Sequence, residues 1–299
     1  SYEPLPPSAF KLADAEGNEL STSEGIRVPA GDFSAKIMVK VGQLNSKDFP
    51  ANKKYAIPLS ITGASNYSLI PSQRSAILLL NRSILSSVAK VSGGEGIRIK
   101  PVGMHTKAEW TIQMSAIYSS LTRSNLTTAY LSNGTGGEFY TRISSTAGIQ
   151  VKNGRDGDDT WTQIPLQAGK WLHITYVHKD KKTTVYVNGK VQKVFENSAI
   201  TFGENSMIVV GNSGYRNDYL REIRLWDKAL TESEINDYLY LPMDPATPHL
   251  ISYLPLSKEM ETKDLKAPAG TENVTTKARI EYVENVKFPA DELVIVNQE

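Results

Sequence analysis

Hydrophobic residues occupy every second position in two early segments, 33–41 and 55–61. A period of two predicts β-strands with one buried face, here with the odd-numbered side chains directed inward. Pro58 cannot donate a hydrogen bond to a neighbouring strand, which places the second segment at a sheet edge or a bulge. Residues 76–80 are apolar on both faces, which predicts a central strand. Polar and glycine-containing turns separate these segments, as in a small β-sandwich.

A second series of alternating segments begins near residue 110. Its predicted strands are 110–118, 139–143, 171–177, 183–187, 207–210 and 222–226. Asn188-Gly189 directly follows one of them and predicts a tight type I′ hairpin turn, because that turn needs positive φ at both central residues. One helix is predicted, starting after Thr231 with Glu234 completing a capping box and ending before Pro242. The chain is otherwise all-β.

The domain boundary is predicted where the composition changes. Residues 92–96, Ser-Gly-Gly-Glu-Gly, interrupt the alternation, and we place the boundary between residues 85 and 94. The expected domains are 1–88, an N-terminal Ig-like β-sandwich, and 89–299. Residues 246–288 are expected to complete the second domain.

Composition excludes several functional classes. The 299 residues carry a formal net charge of +1, so nothing favours nucleic acid or an anionic membrane surface as a partner. The absence of cysteine excludes disulfides, thiolate catalysis and cysteine-ligated zinc. Because the chain begins at Ser1, we expect a removed leader, and with it any lipid-anchor cysteine.

Two motifs in the second series resemble a known family. Gly169 to Lys190 contains Trp-Leu-His-Ile-Thr-Tyr-Val, a charged turn and Thr-Val-Tyr-Val-Asn-Gly-Lys, and residues 220–235 run from Leu-Arg-Glu-Ile-Arg-Leu-Trp into the capped helix. Both are similar to the hairpin and closing segment of laminin-G-like, concanavalin A-like jelly rolls. The resemblance implies a jelly-roll β-sandwich over 89–299. The family usually has Asp where this chain has Arg221, so calcium is not favoured.

The N-terminal segment resembles a domain of unknown function. The similarity rests on Arg27-Val28-Pro29-Ala30-Gly31, on 55–59 and on the apolar strand after Ile70-Pro71-Ser72. That domain begins many Bacteroidetes surface lipoproteins, often before a glycan-binding or glycosidase module. The resemblance implies a secreted protein at the outer-membrane surface. Its only attachment to the membrane would be an N-terminal lipid anchor, which we expect to have been removed with the leader.

The sequence contains no candidate pair of carboxylates for glycoside hydrolysis. Jelly-roll glucanases carry Glu-x-Asp-x-x-Glu on one strand, and this run is absent here. The pairs Glu222/Asp227 and Glu281/Glu284 have odd spacing, so each pair points to opposite faces of a regular strand, and we interpret all four as solvated charges. No catalytic histidine and no cofactor is predicted. The acidic loop 153–159 could bind calcium, but Arg155 within it argues against a cation.

Sugar binding is the chemistry that the loops allow. An aromatic plane covers the C–H face of a sugar ring, and planar polar side chains bind its hydroxyls. Two loops combine these features, and the predicted ligand-binding residues are Trp161, Tyr215, Arg216, Asn217 and Asp218. The alternative is that Trp161 and Tyr215 only anchor their loops. Trp110, Trp171 and Trp226 lie within strand patterns and are predicted core residues.

Three functional classes remain open at this point. The favoured one is non-catalytic binding of a poly- or oligosaccharide by a surface protein, for example in polysaccharide capture. The second is a structural spacer or adhesion module that binds other surface proteins. A glycoside hydrolase is the least favoured.

Overall fold

A computed structural model describes residues 2–23, 25–45, 47–94, 96–103, 107–121, 127–130, 139–152, 157–196, 200–203, 205–211 and 215–297. The chain divides into two compact units, Ser1–Arg82 and Ser83–Glu299. The predicted boundary at 88/89 falls six residues after this division, inside a strand of the second unit. The glycine-rich run that suggested the boundary marks the end of that strand, because Gly93 and Gly94 both have positive φ.

The described residues of the first unit form five strands: β1 (Tyr2–Pro4), β2 (Phe10–Ala13), β3 (Met38–Val41), β4 (Lys54–Ser60) and β5 (Ser75–Leu79). They form a three-stranded sheet in the order β1-β4-β5 and a two-stranded sheet of β2 and β3. Two 3₁₀ helices accompany them, Pro7–Ala9 and Pro71–Gln73. Leu5, Tyr55 and Ile57 are buried at the centre, so the unit has a small hydrophobic core of its own.

Two sequence predictions for this unit are wrong. Residues 33–37 are not in a strand, and the Phe33 side chain is fully exposed rather than buried. The apolar strand 75–79 lies at the edge of its sheet with every residue exposed, not at its centre. A sequence pattern indicates that a segment can form a strand but not whether a second layer will cover it, and every residue of β5 is exposed.

The second unit is a sandwich of two antiparallel sheets. Its strands are β6 (Ile84–Gly93), β7 (Ile97–Ile99), β8 (Trp110–Ile117), β9 (Thr127–Tyr130), β10 (Phe139–Ser144), β11 (Gly148–Lys152), β12 (Trp171–Lys179), β13 (Lys182–Val187), β14 (Lys190–Glu196), β15 (Met207–Val210), β16 (Tyr215–Trp226), β17 (Leu250–Leu254), β18 (Val274–Thr275) and β19 (Arg279–Phe288). A 3₁₀ helix spans Asp158–Thr160, and the helix α1 spans Glu232–Asp237. The all-β class and the concanavalin A-like sandwich are confirmed.

The order of strands fixes which side chains meet. One sheet has the order β11-β10-β9-β15-β7-β18, and the other has β14-β13-β12-β8-β16-β6-β19, with β17 also paired to β16. Alternate residues of both sheets, such as Ile112, Ile174 and Ile208, form the main core between them. The opposite face of the second sheet carries a smaller core around Trp226 and Tyr253, against which α1 packs through Ile235.

The predicted local signals in this unit are confirmed. Asn188 and Gly189 both have positive φ and connect Val187 to Lys190 in a two-residue turn. A Cβ atom on Gly189 would lie 2.0 Å from Oδ1 of Asn236, so a side chain there would collide with α1. Thr231 and Glu234 make both hydrogen bonds of the capping box. The helix ends at Asp237, earlier than Pro242. No described helix has the length and apolar character needed to cross a membrane.

His178 lies between the two sheets as a neutral side chain. Its Nε2 accepts a hydrogen bond from the backbone N–H of Ile200 at 3.2 Å, so Nδ1 carries the proton and donates it to Oγ1 of Thr183 at 3.0 Å. The ring stacks on Trp110 at a centroid distance of 5.2 Å. Burial lowers the pKa of His178 to about 4.

This burial predicts a specific pH dependence of stability. The unfolded chain binds a proton at His178 near pH 6.5 and the folded chain only near 4, so the stabilisation present above pH 6.5 is lost as pH falls through that window. Urea midpoints measured from pH 7 to pH 4 should decrease. The urea midpoint of the His178→Gln variant should decrease less steeply with falling pH than that of the wild type. His249→Gln, which replaces an exposed histidine, is the matched control. Equal slopes for His178→Gln and the wild type would contradict the assignment.

Candidate functional site

A bulge at the start of β16 presents the predicted residues Arg216 and Asn217 to solvent. Arg216 pairs with Ser92 and Asp218 with Val91, so Asn217 is the extra residue, and its φ of 62° fits an asparagine in a bulge. Asp218 is fully buried and accepts hydrogen bonds from the backbone N–H groups of Ser119 and Arg216 at 2.9 and 3.1 Å. Asp218 therefore holds the bulge, and Arg216 and Asn217 are the exposed polar groups. The Tyr215 side chain lies outside the described residues.

Trp161 lies elsewhere on the second unit. It is half-buried after the 3₁₀ helix Asp158–Thr160, where Lys193 of β14 donates to its carbonyl oxygen at 2.7 Å. β14 is an edge strand, and four strand spacings separate it from β16, about 19 Å. The structure thus does not bring Trp161 together with residues 216–218. Of the acidic loop, residues 153–156 lie outside the described residues.

A different concave site arises where β16 changes its partner. β8 pairs along one edge of β16, while the other edge pairs with β6 from Tyr215 to Leu220 and with β17 from Ile223 to Trp226. The change occurs at a bulge in β16. Arg221 pairs with Ser115 and Arg224 with Gln113, so two residues of β16 lie between these pairs where β8 has only one. β6 and β17 diverge from this point, and the gap between them is a fork in the sheet.

The gap contains a pocket of about 370 Å³, which we call the fork pocket. Two backbone bulges shape it, one at Glu222 with φ of 56° and one on β19 at Asn285 with φ of 57°. Non-glycine residues at positive φ are uncommon and are concentrated at functional sites. The lining residues are Leu85, Ser86, Ser87, Glu222, Pro242, Met243, Tyr253, Pro255, Ser257, Glu259, Met260, Leu265, Glu284 and Asn285.

The buried floor of the fork pocket is an ionic network around Glu222. Oε2 of Glu222 accepts from Arg224 Nη2 at 2.6 Å, and Oε1 lies 3.4 Å from Arg221 Nη2. The Tyr253 hydroxyl lies 3.2 and 3.0 Å from the two carboxylate oxygens. Burial, with the Glu222 carboxylate beside it, raises the pKa of Tyr253, so its hydroxyl stays protonated and donates. Each of these four side chains is at most 2% exposed.

The two arginines also hold the chain segment that follows α1. Arg221 Nη1 donates to the carbonyl of Tyr240 at 2.8 Å, and Arg224 donates to the carbonyls of Tyr238 and Leu241 at 3.1 and 2.5 Å. The Arg221 guanidinium also lies 4.0 Å from the ring centroid of Phe288. The network therefore ties the sheet to the segment that covers it.

His173 borders this network and is not positioned for acid–base chemistry. Its Nδ1 lies 2.6 Å from Ser115 Oγ, and its Nε2 is buried without a partner among the described residues. Burial, followed by the charges of Arg224 and Arg221, keeps the pKa of His173 well below 6.5. His173 is thus neutral at physiological pH. No group of three His, Asp or Glu side chains in the described part of the chain is arranged to bind a metal.

The interpretation of Glu222 as a solvated charge is wrong. In a regular strand Glu222 and Arg224 would share one face and Arg221 would point to the other, but the bulge adds one residue and brings all three charges together. Three charged residues interspersed among Leu220, Ile223 and Leu225 were the available signal, because charges are buried only in pairs or networks. Glu281 and Glu284 are exposed, as predicted.

Two parts of the chain match known families. Residues 92–236 match the concanavalin A-like lectin/glucanases superfamily in its laminin G form, and residues 1–68 match a family of N-terminal domains. No curated protein matches the chain in sequence. The predicted arrangement, an N-terminal domain followed by a concanavalin A-like domain, is confirmed.

Several solved structures are similar to this chain at low sequence identity, and the first of those that follow shares its fold. A Bacteroides ovatus protein named for a proposed carbohydrate-binding role is 18% identical with a TM-score of 0.56, over 97% of this chain and 82% of that chain. A heptameric SAP-like pentraxin from Limulus polyphemus is 13% identical with a TM-score of 0.45, over 67% of this chain and 94% of that chain. Domain 4 of an arabinanase from Geobacillus stearothermophilus, solved with arabinotriose, is 16% identical with a TM-score of 0.37, over 61% and 87%.

Proposed function

We propose that this chain, whose residues 92–236 form a domain of the concanavalin A-like lectin/glucanase superfamily, binds a carbohydrate without cleaving it. The observation that carries the proposal is the fork pocket, which combines concave shape with convergent polar groups. Its volume of about 370 Å³ lies within the range of small-molecule binding sites in proteins. The pocket is therefore large enough for one sugar unit.

The lining chemistry suits a polyhydroxylated ring. Asn285 supplies an amide that makes no side-chain hydrogen bond among the described residues, and Glu259 is an exposed carboxylate that is equally unoccupied there. Ser86 and Ser257 add hydroxyl groups, each with remaining hydrogen-bonding capacity. The rim residues Leu85 and Met260 expose aliphatic surface on which the C–H face of a sugar can lie.

The same residues support binding without hydrolysis. Glycoside hydrolysis requires one carboxyl group that protonates the leaving oxygen and a second that acts as base or nucleophile. Both oxygens of Glu222 are already engaged by arginines and Tyr253, and Glu284 is paired with Lys258 at 2.6 Å. Among the described residues that line the pocket, only the carboxylate of Glu259 is without an ion-pair partner, so they supply no pair of free carboxyl groups.

Capture of a poly- or oligosaccharide at a cell surface, through an N-terminal lipid anchor, is part of this proposal. Binding of one sugar unit through a few hydrogen bonds is expected to be weak, with Kd of roughly 10 µM to 1 mM. Display of many copies would raise the avidity for a polymer without any new contact.

Screening the full chain against an array of host and plant glycans tests the function. We expect binding to a restricted set of glycans and no release of reducing sugar on long incubation. Reducing sugar in the supernatant would contradict the non-enzymatic assignment. Absence of binding to every glycan would contradict the proposal and favour the spacer or protein-binding role.

A further inference from the structure

Three parts of the second unit form the walls of the fork pocket. The first wall is the pair of neighbouring strands β6 and β19, which line the pocket with residues 85–87 and 284–285. The second wall is the segment 255–260 that follows β17, and the third is the segment 238–243 that follows α1 and lines the pocket with its last two residues. Whether a glycan chain can pass through the pocket depends on how these walls are joined.

Lys258 joins the second wall to both strands of the first. Its backbone N–H donates to Oγ of Ser87 on β6 at 2.8 Å. Its Nζ donates to Oε2 of Glu284 on β19 at 2.6 Å. The side of the pocket between these two walls is therefore bridged at two points.

The buried network makes the other two joins. The hydroxyl of Tyr253, on β17, accepts from the backbone N–H of Met243 at 3.0 Å and so joins the second wall to the third. Arg221 donates to the carbonyl of Tyr240 at 2.8 Å, and its guanidinium lies 4.0 Å from the ring centroid of Phe288 on β19. Each wall is thus joined to the other two, so the described residues form a cup rather than a groove with two open ends.

We infer that the fork pocket binds the terminal unit of a glycan chain or branch and does not bind an internal unit. This inference rests on the proposed function. An internal unit is linked to neighbours on two sides and needs two openings, whereas a cup has one. The pocket volume of about 370 Å³ lies near the lower end of the range for ligand sites, which leaves little room for the units that follow the terminal one.

Calorimetry with chains of two lengths tests this inference. The probes are maltotetraose and β-1,4-galactotetraose, each beside a fraction of the same linear polymer with about 40 units, together with any linear glycan that the array identifies. For a glycan that binds, we expect one protein per chain and a Kd per mole of chain that agrees within about twofold between the two lengths. Binding to internal units would instead lower the Kd of the long chain about tenfold, because the number of binding positions rises with length.

Blocking the chain ends tests the same inference in a second way. Reduction with borohydride opens the ring at the reducing end of a tetramer, and a 4,6-O-benzylidene group enlarges the unit at the other end. A tetramer blocked at both ends should bind at least about tenfold more weakly than the unmodified tetramer. The two singly blocked forms then identify which terminal unit enters the cup.

A variant of the pocket tests whether the terminal unit binds there. Asn285→Gly should weaken the binding of the tetramer and of the long chain by the same factor, because one unit makes the contacts in both. Asn217→Gly is the matched control, since Asn217 also lies at a bulge with positive φ but does not line the pocket. Thermal unfolding of each variant verifies that it is folded.

The outcomes separate this inference from the proposed function. Several proteins on one linear chain, or full affinity for the tetramer blocked at both ends, would overturn recognition of the terminal unit and leave glycan binding standing. An effect of Asn285→Gly on only one chain length would also overturn it. Failure of all probes, and of the glycan array, would overturn the proposed function and this inference with it.

Discussion

Glu222→Gln is expected to lower the free energy of unfolding of the second unit by about 3–5 kcal/mol. The substitution keeps the size of the side chain but removes the negative charge that compensates Arg221 and Arg224, both at most 1% exposed. An uncompensated buried charge is among the most costly defects in a protein interior. Urea denaturation followed by tryptophan fluorescence measures this unit selectively, because all four tryptophans lie after residue 83.

Two further variants show whether the network is the cause. Replacing the whole set, as Arg221→Met, Glu222→Leu and Arg224→Met together, should cost less than Glu222→Gln alone, since no charge is then left unpaired. Glu281→Gln, at an exposed carboxylate, should change the unfolding free energy by no more than about 0.5 kcal/mol. A loss below about 1 kcal/mol for Glu222→Gln would mean that water reaches the network and that Glu222 is not buried.

Trp171→Ala is expected to destabilise the second unit by about 3–5 kcal/mol, and Trp161→Ala by about 1 kcal/mol. Trp171 is 7% exposed and packs on Phe288 at a ring-centroid distance of 5.0 Å. Trp161 is only half-buried, and its hydrogen bond to Lys193 uses the backbone carbonyl, which the substitution keeps. Denaturant midpoints followed by far-ultraviolet circular dichroism compare the two variants, and equal losses would contradict this division between core and loop tryptophans.

Local signals in the sequence predicted much of the second unit. The turn at Asn188-Gly189 and the capping box at Thr231 need only neighbouring residues, so their geometry follows from short-range chemistry. The exposed positions of Phe33 and of β5 could not be predicted in this way. Alternation indicates that a segment can form a strand, but not whether another layer exists to cover it.

The candidate site was harder to predict than the fold. Trp161 and residues 216–218 have the right chemistry, yet strand order separates them, and strand order depends on long-range pairing. The fork pocket depends on two single-residue bulges, at Glu222 and at Asn285, which alternation alone does not reveal. Asparagine adopts positive φ more readily than most residues, and Asn217 and Asn285 both do so at bulges, but Asn188 does so in a hairpin turn, so the residue type alone does not identify a bulge.

Those two asparagines allow the most direct test of carbohydrate binding in the fork pocket. Glycine accepts positive φ, so Asn285→Gly and Asn217→Gly each remove an amide side chain from a bulge without straining the backbone. Calorimetric titration of the wild type and both variants with a sugar that binds should show affinity reduced roughly 3- to 10-fold in Asn285→Gly and unchanged in Asn217→Gly. Loss of affinity in Asn217→Gly with none in Asn285→Gly would contradict the fork pocket as the binding site and place the sugar at the start of β16.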